Sequence, residues 1–248
     1  MAKIHYLSIP ALENVSALRH AFTTRQSGLG ARINGIKRPG DWNSIAEVFG
    51  IDPDRLITVN QVHGDTIVEV GEDPPAAAQL RQAQADAIIT NIPGIAIGVE
   101  TADCVPILLY DPGAGAIAAV HAGWKSTLKR IVQKAAIRMR DVYGSDPHEM
   151  IAAIGPAIGP ECYEVDETVM GPARSEFPLW KKASSPREHG RWSLDLVCLN
   201  RFQLADTGLA SKNIHALGLC TSCRSDLFYS FRAEGRTGRM LSVIMLKP

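Results

Sequence analysis

The stretch Thr101–Trp124, TADCVPILLYDPGAGAIAAVHAGW, contains two apolar segments separated by a short turn that is rich in proline and glycine. Apolar runs joined in this way predict a β-hairpin. A four-residue loop at residues 111–114 sets a register in which Cys104 lies directly opposite His121. Directly opposed residues have Cβ atoms about 4.5–5.5 Å apart. The two side chains could therefore bind one metal ion or form a Cys–His pair.

The composition of the 248 residues is that of an ordinary globular protein, with 46% hydrophobic and 21% charged residues. The 26 basic and 26 acidic side chains cancel, which argues against nucleic acid as a partner. The chain shows no signal-peptide pattern and no apolar run approaching about 18 residues. We therefore expect a cytoplasmic protein without membrane association, folded as a single domain over residues 1–248, and present as a monomer or small homo-oligomer.

Strand-like segments outnumber helical ones, and many are joined by links of hairpin length. This pattern argues against a simple alternating parallel sheet and favours an α+β fold, in which mixed or antiparallel sheets pack on each other with two long helices outside. The first long helix is predicted over Leu128–Val142 from its apolar spacing, and Ser193 is predicted to open the second. The glycine-rich stretch Gln26–Asp41 is predicted to be a loop, and Met240–Leu246 a closing strand.

His63 supplies a third candidate ligand, because the segment Asn60–Asp65 around it suits a turn at the mouth of a site. Two histidines and a cysteine with one open position are typical of a catalytic zinc site, where bound water becomes more acidic. The same donors also suit copper. Two alternatives remain open: a metal-free pair in which Cys104 is the nucleophile and His121 its base, and a buried set without a ligand.

Asp103 precedes Cys104, and its carboxylate either caps backbone N–H groups or serves as an acid–base group near the metal. Cys220 and Cys223 have the C-x-x-C spacing, but no second pair of this spacing is present to complete a tetrahedral structural site. We therefore predict a packing or local role for these two cysteines, with a contribution to the active site as the alternative.

An anion site is predicted next to the hairpin, where a helix starts with Lys125–Thr127. The free N–H groups at such a helix start attract phosphate. Arginines at loop tips, Arg25, Arg232 and Arg239, could bind the same anion in bidentate fashion.

Several motifs in order resemble those of the YfiH/YlmD family, whose members have been called laccase-like polyphenol oxidases and purine nucleoside phosphorylases. These motifs are Gln61–Gly64 (QVHG), Thr101–Cys104 (TADC), His121–Trp124 (HAGW), Gly155–Val165 (GPAIGPECYEV) and Thr237–Arg239 (TGR). The chain departs from the family's pattern between Gly28 and Asn43, so contacts from that stretch, including Asn34, are not carried over.

The resemblance implies a four-layer α/β/β/α sandwich with mixed β-sheets, and it implies His63, Cys104 and His121 as ligands of zinc, with copper possible. It also implies phosphorolysis of adenosine, inosine and methylthioadenosine, together with deamination of adenosine. Other proposals for the family are a cysteine hydrolase or amidase that edits peptidoglycan precursors and a copper-dependent polyphenol oxidase. A true laccase is excluded, because its trinuclear copper cluster needs more imidazoles than the seven histidines of this chain supply.

We therefore predict a metal-dependent purine nucleoside phosphorylase with adenosine deaminase activity, acting on a purine nucleoside and phosphate. The predicted catalytic residues are Cys104, His121 and Asp103. The predicted substrate and phosphate contacts are Arg25, Gln61, Arg232 and Arg239.

Overall fold

The computed structural model describes residues 5–27, 30, 32–33, 36–37 and 41–248, with the backbone alone at 32–33, 36–37 and 41–43. The described strands are β1 Tyr6–Leu7, β2 Leu18–Thr23, β3 Arg32–Ile33, β4 Ile36–Lys37, β5 Leu56–Ile57, β6 Ile67–Val70, β7 Ala87–Thr90, β8 Ala96–Thr101, β9 Val105–Asp111, β10 Ala116–Ala122, β11 Ile151–Ile154, β12 Glu164–Val165, β13 Ser184–Pro186, β14 Trp192–Leu194, β15 Ile214–Ala216 and β16 Met240–Leu246. The described α-helices are α1 Pro10–Glu13, α2 Asp41–Phe49, α3 Ala77–Leu80, α4 Trp124–Leu128, α5 Ile131–Tyr143, α6 Glu167–Glu176, α7 Leu196–Asp206 and α8 Phe231–Glu234. Short 3-10 helices lie at Arg25–Ser27, Pro53–Arg55, Trp180–Lys182, Glu188–Gly190 and Ser211–Asn213.

Two large mixed sheets organise the fold. The first has the strand order β1-β2-β16-β8-β5, and its β5/β8 pair is parallel while the others are antiparallel. The second has the order β15-β11-β9-β10-β7-β6, with a parallel pair at each edge. A three-stranded sheet (β12-β14-β13) and the β3–β4 pair complete the described strands. The predicted α+β class with mixed sheets is confirmed.

The predicted hairpin forms as β9 and β10, but its register differs from the prediction. Asp111 stays in the strand and pairs with Ala116, and its carboxylate accepts the N–H two residues later at 2.9 Å. The prediction that Cys104 lies directly opposite His121 is therefore wrong by two residues, since His121 pairs with Pro106. Side chains alternate between the two faces of a strand, so a shift of two residues keeps both side chains on one face.

Both strands of this hairpin are buried on both faces, which explains why their sequences are continuously apolar. One face, with Leu109, belongs to the buried apolar cluster that includes Ala135 of α5. The other face, with Leu108, belongs to the cluster that includes Ile97 of the five-stranded sheet. Burial of each leucine or isoleucine side chain contributes about 1.5–3 kcal/mol to the free energy of folding. The hairpin is therefore held firmly between two apolar layers.

The two long helices differ from their predicted forms. Arg130 adopts a φ of 60° and divides the predicted Leu128–Val142 helix into α4 and α5. Ser193 belongs to β14, and the helix that it was predicted to open is instead capped by Asp195, whose carboxylate accepts the N–H of Cys198 at 2.8 Å. Asp195 satisfies one of the N–H groups that every helix start leaves unpaired.

Helices cover the outer sides of both large sheets. α5 contacts β10 and β7 of the six-stranded sheet, and α2 packs Ile45 and Phe49 against the five-stranded sheet. The strict four-layer order and a single domain over residues 1–248 stay predictions. Half of the loop predicted at Gln26–Asp41, including Asn34, lies outside the described residues, and the described half contains the short strands β3 and β4. In the part of the chain that the structure describes, we find no helix with the length and apolar character needed to span a bilayer.

Candidate metal centre

Three side chains from separate segments converge at one end of the central hairpin. Cys104 directly precedes β9, His121 lies near the end of β10, and His63 lies in the turn between β5 and β6. Their ligand atoms all lie within 4.8 Å of one another, and Cys104 Sγ is 3.7 Å from His63 Nε2. The two imidazole rings meet edge to face with centroids 4.9 Å apart. The structure thus brings together the three residues that were predicted as ligands.

Gly123 leaves the space that this convergence needs. Val105 pairs with Ala122, so the next position of the register sets Cys104 opposite Gly123. A Cβ atom at Gly123 would lie 2.6 Å from His63 Cδ2 and 3.1 Å from Cys104 Sγ. Close approach of this kind is a usual reason for glycine. The glycine of the HAGW motif therefore lets the His63 ring and the Cys104 sulfur lie next to the end of β10.

Asp86 holds the two histidines in place. This aspartate is fully buried, and its carboxylate accepts the backbone N–H groups of His63 at 2.9 Å and Gly64 at 2.6 Å. The same carboxylate pairs with His121 Nδ1 at 2.7 Å, and the Asp86 carbonyl accepts the His121 N–H at 2.8 Å. These bonds support the left-handed conformation of His63, with a φ of 59°, which is uncommon for a residue other than glycine. A single carboxylate therefore positions both imidazoles.

Sequence reasoning missed Asp86, although the sequence carries a signal for it. Asp86 lies between two alanines and directly precedes the fully buried strand β7. A carboxylate at the start of a buried apolar strand needs partners that compensate its lost hydration. Such a position indicates a buried carboxylate with specific hydrogen-bond or ionic partners inside the protein.

The pKa values of Cys104 and His121 shift in opposite directions in the metal-free protein. Burial raises the pKa of the Cys104 thiol, but the adjacent His121 and then His63 outweigh this effect and lower the pKa to about 6. Burial lowers the pKa of His121, but the Cys104 thiolate and the Asp86 carboxylate raise it to about 9. The thiolate–imidazolium form is therefore favoured near neutral pH.

The donor atoms fit a metal ion. Thiolate sulfur and imidazole nitrogen are usual zinc ligands and also suit copper. Because the Nδ1–H of His121 donates to the Asp86 carboxylate, loss of the Nε2 proton leaves the Nε2 lone pair of that ring for a ligand bond. The set supplies three ligand atoms, as in catalytic sites that keep one position open.

A cavity of about 450 Å³ opens beside the three candidate ligands. Cavities of roughly 300–1,000 Å³ are typical of sites for small molecules. Besides the three ligands, its lining includes Thr58, Gln61, Arg81, Glu100 and Arg239.

Gln61 and Arg239 lie at this cavity, as their predicted roles require. The Gln61 side-chain amide donates to the Glu100 carbonyl and accepts the Glu100 N–H, both at 2.7 Å. Gln61 therefore fastens the turn that carries His63 to β8. The Arg239 guanidinium donates to the Gly238 carbonyl at 2.8 Å. Arg81, which the sequence did not single out, adds a second guanidinium to the lining.

Arg25 and Arg232 are not among the described residues that line the cavity. The guanidinium of Arg25 pairs with Glu234 and donates to the Ser225 carbonyl at 2.6 Å. That of Arg232 donates to the Glu164 carbonyl at 2.9 Å. Both side chains hold loops together next to the site, so contact with phosphate would require them to leave these partners.

Asp103 uses its carboxylate to join two other segments. It accepts the Thr221 hydroxyl at 2.6 Å and the backbone N–H of Arg232 at 2.7 Å. Its carbonyl accepts the N–H of Ile158 at 2.9 Å. The contact with the Arg232 N–H is of the backbone-capping kind, and a catalytic role for Asp103 stays a prediction.

The helix that follows His121 differs from the predicted phosphate seat. α4 has five residues, and its Ser126 and Thr127 are fully buried. Thr127 Oγ1 accepts the side-chain amide of Asn200 at 3.0 Å. These two side chains are therefore turned to the protein interior, and an anion contact through the N–H groups of this helix start stays a prediction.

Fold and site together define an α+β protein with a candidate His–Cys–His metal centre beside a small-molecule cavity. The family model described as "Multi-copper polyphenol oxidoreductase laccase" matches residues 39–247. A Bacillus subtilis relative named "Purine nucleoside phosphorylase YlmD" is 36% identical over 208 residues, which cover 82% of this chain and 75% of the relative. A relative from an unknown prokaryotic organism, named "Adenosine deaminase RL5", is 35% identical over 210 residues, covering 82% and 80%.

The solved structures agree with this relationship. The crystal structure of the Bacillus licheniformis hypothetical protein YfiH superposes with a TM-score of 0.89 at 29% identity, covering 100% of this chain and 97% of that protein. The chain therefore belongs to the multi-copper polyphenol oxidoreductase laccase family, that is, to the YfiH/YlmD family that its motifs resemble.

Proposed function

We propose that this protein is a metal-dependent purine nucleoside phosphorylase that also deaminates adenosine. The observation that carries the proposal is the convergence of His63, Cys104 and His121 on a cavity of about 450 Å³. Relatives with at least 35% identity are named purine nucleoside phosphorylase and adenosine deaminase. Adenosine, inosine and methylthioadenosine are the proposed nucleosides, with phosphate as the second substrate.

The candidate ligands would hold zinc, with copper as the other ion that the donors suit. When bound, such an ion supplies Lewis acidity and lowers the pKa of water. Asp86 orients the imidazole of His121, and Gln61 fixes the turn that carries His63. The roles of Cys104 and His121 are thus to bind the ion and face the substrate.

Phosphorolysis requires a phosphate placed for attack on C1′ of the ribose. Arg239 lines the cavity, and a guanidinium suits bidentate binding of phosphate oxygens. Arg81, at the same cavity, is the second candidate, and Arg25 would first have to leave Glu234. The phosphate oxygen forms a bond to C1′ as the bond from C1′ to the purine breaks, which yields ribose 1-phosphate and, after protonation, free purine. In deamination, water adds to C6 of adenine and ammonia leaves.

A product analysis tests the proposal. The zinc-loaded full chain is incubated with each nucleoside in the presence and absence of phosphate, and the products are separated by chromatography. We expect purine and the sugar 1-phosphate only when phosphate is present (ribose 1-phosphate from adenosine and inosine, 5-methylthioribose 1-phosphate from methylthioadenosine), and inosine from adenosine in both cases. The proposal is refuted if none of these products forms, or if Cys104→Ala leaves their rates unchanged.

A cysteine hydrolase or amidase that edits peptidoglycan precursors is the second candidate. The lowered pKa of Cys104, about 6, favours it, because a thiolate beside an imidazolium is an activated nucleophile. In this case a metal would block the nucleophile, so chelation would raise the activity and a covalent adduct would form at Cys104. A copper-dependent polyphenol oxidase, which the family's description suggests, would instead oxidise phenols when loaded with copper.

A further inference from the structure

A second cluster of potential ligand atoms lies outside the cavity and is formed by Cys162, Cys220 and Cys223. We propose that these three thiols form a second metal site, which binds a thiophilic divalent cation such as Zn²⁺ and is separate from the His63 centre. The C-x-x-C spacing alone indicates no partner for Cys220 and Cys223, because the sequence contains no second pair of this spacing. The fold supplies a single cysteine from a distant segment instead.

The distances between the sulfur atoms suit a shared cation. The three Sγ atoms lie within 4.8 Å of one another, and those of Cys162 and Cys223 are 3.3 Å apart. Zinc–sulfur bonds of about 2.3 Å in a tetrahedral site separate the sulfurs by roughly 3.8 Å. Changes of about 1 Å or less in these separations would therefore place all three sulfurs around one ion. All three cysteines are free thiols in this structure.

Backbone N–H groups support the sulfur of Cys220. The N–H of Gly159 donates to Cys220 Sγ at 3.1 Å. The N–H groups of Ser222 and Cys223, two and three residues later, also interact with this sulfur. Hydrogen bonds from N–H groups stabilise a negatively charged sulfur, so the turn is arranged for a metal-bound thiolate.

The two segments that carry the cysteines are already fastened together. The N–H of Ala157 donates to the Leu219 carbonyl at 3.2 Å, and the N–H of Thr221 donates to the Ala157 carbonyl at 3.0 Å. This pairing brings the 159–162 turn beside the 220–223 turn without help from a metal. The site is therefore largely formed before an ion arrives, which reduces the ordering cost of binding.

The surroundings also suit a negatively charged cluster. Three thiolates around a divalent ion carry one net negative charge, and the guanidinium of Arg232 donates to the Cys162 carbonyl at 3.4 Å. Cys223 is exposed, so water can occupy a fourth ligand position. An ion here would tie the 155–165 segment to the turn whose Thr221 hydroxyl bonds to Asp103, beside the first centre.

Cobalt titration of the reduced, metal-free full chain tests this site, because Co²⁺ replaces zinc and absorbs according to its thiolate ligands. We expect about two Co²⁺ per wild-type chain, and about one per Cys104→Ala or Cys223→Ser chain, in line with one open three-ligand site in each cluster. The ion retained by Cys104→Ala should show the stronger thiolate-to-cobalt absorption, and the double variant should lose both ions. Cys198→Ser is the matched control, since this free cysteine belongs to neither cluster, and it should leave the stoichiometry unchanged.

The proposal is overturned if Cys223→Ser binds as much Co²⁺ as the wild type. It is equally overturned if the wild type binds a single ion and Cys104→Ala, with an unchanged circular dichroism spectrum, binds none. If the purified protein contains a Cys162–Cys223 disulfide, and no second ion binds after this disulfide is reduced, the cluster is assigned to redox chemistry and the proposal is also overturned. None of these readings uses nucleoside turnover, so this proposal can fail or succeed independently of the proposed activity.

Discussion

The substitution Asp86→Asn should weaken metal binding while leaving all three ligands present. The carboxylate of Asp86 serves four donors: Oδ1 faces the His63 N–H and His121 Nδ1, and Oδ2 faces the N–H groups of Val62 and Gly64. An amide offers only one oxygen, so two donors would face its NH₂ group. If the NH₂ group takes the Oδ1 position, His121 must accept at Nδ1 and carry its proton on Nε2, the atom needed for the metal.

The size of the effect follows from these contacts. Loss of the acid that orients a ligating histidine typically reduces metal affinity about 10–100-fold. Loss of two hydrogen bonds to a buried charged group, at about 1.5–3 kcal/mol each, should lower the free energy of unfolding by about 3 kcal/mol or more. We expect both effects in the same variant, since one carboxylate supports the turn and the ligand.

Competition with a fluorescent zinc chelator measures the affinity, and denaturant unfolding of the metal-free protein measures the stability. Asp111→Asn is a matched control, because Asp111 is also a buried aspartate that accepts backbone N–H groups, but at the far end of the hairpin. It should lose stability without a change in zinc affinity. The reasoning is refuted if folded Asp86→Asn binds zinc within about threefold of the wild type.

Two further predictions concern the same centre. Because His121 and His63 hold the pKa of Cys104 at about 6, alkylation of the metal-free protein by iodoacetamide should rise as the pH passes 6 and level off above it, and zinc should block it. Cys198 is the internal comparison, since burial and then Asp195 raise its pKa to about 11. Its alkylation should therefore still increase at pH 9. A Cys104 profile like that of Cys198 would contradict the assignment. Gly123→Ala places a Cβ 2.6 Å from an atom of the His63 ring and should reduce zinc affinity about tenfold or more in the chelator assay. Gly171→Ala, which meets no atom within 4 Å, should leave the affinity unchanged, and equal affinities for the two variants would rule out the steric argument.

Local sequence patterns were sufficient to predict many elements of the fold. Met240–Leu246 was predicted as a strand, and β16 has these bounds, because a short continuous apolar run is a property of the segment itself. The register of the hairpin was not predicted, because it depends on whether Asp111 ends the strand or begins the loop. In the structure Asp111 ends the strand, and its carboxylate accepts the N–H of Gly113. The spacing of apolar residues alone does not reveal this hydrogen bond.

For the candidate site, the sequence predicted the ligands that lie within recognisable motifs but not the residues that support them. Motifs indicated the ligands, while Asp86 and Cys162 were missed because their importance lies in contacts with residues far along the chain. Asp86 meets His121, 35 residues away, and Cys162 meets Cys223, 61 residues away. Such contacts depend on how strands are ordered in the sheets. Arg25 shows the converse, because an arginine at a predicted loop tip proved to be paired with Glu234.

The proposed function requires that a metal be bound by His63, Cys104 and His121 for nucleoside phosphorolysis. Its most direct test is ribose 1-phosphate formation from adenosine and phosphate by the full chain before chelation, after chelation and after reloading with zinc. We predict that chelation abolishes product formation, that zinc restores it, and that His63→Ala prevents the restoration. Unchanged or increased activity in the chelated protein would refute the need for a metal.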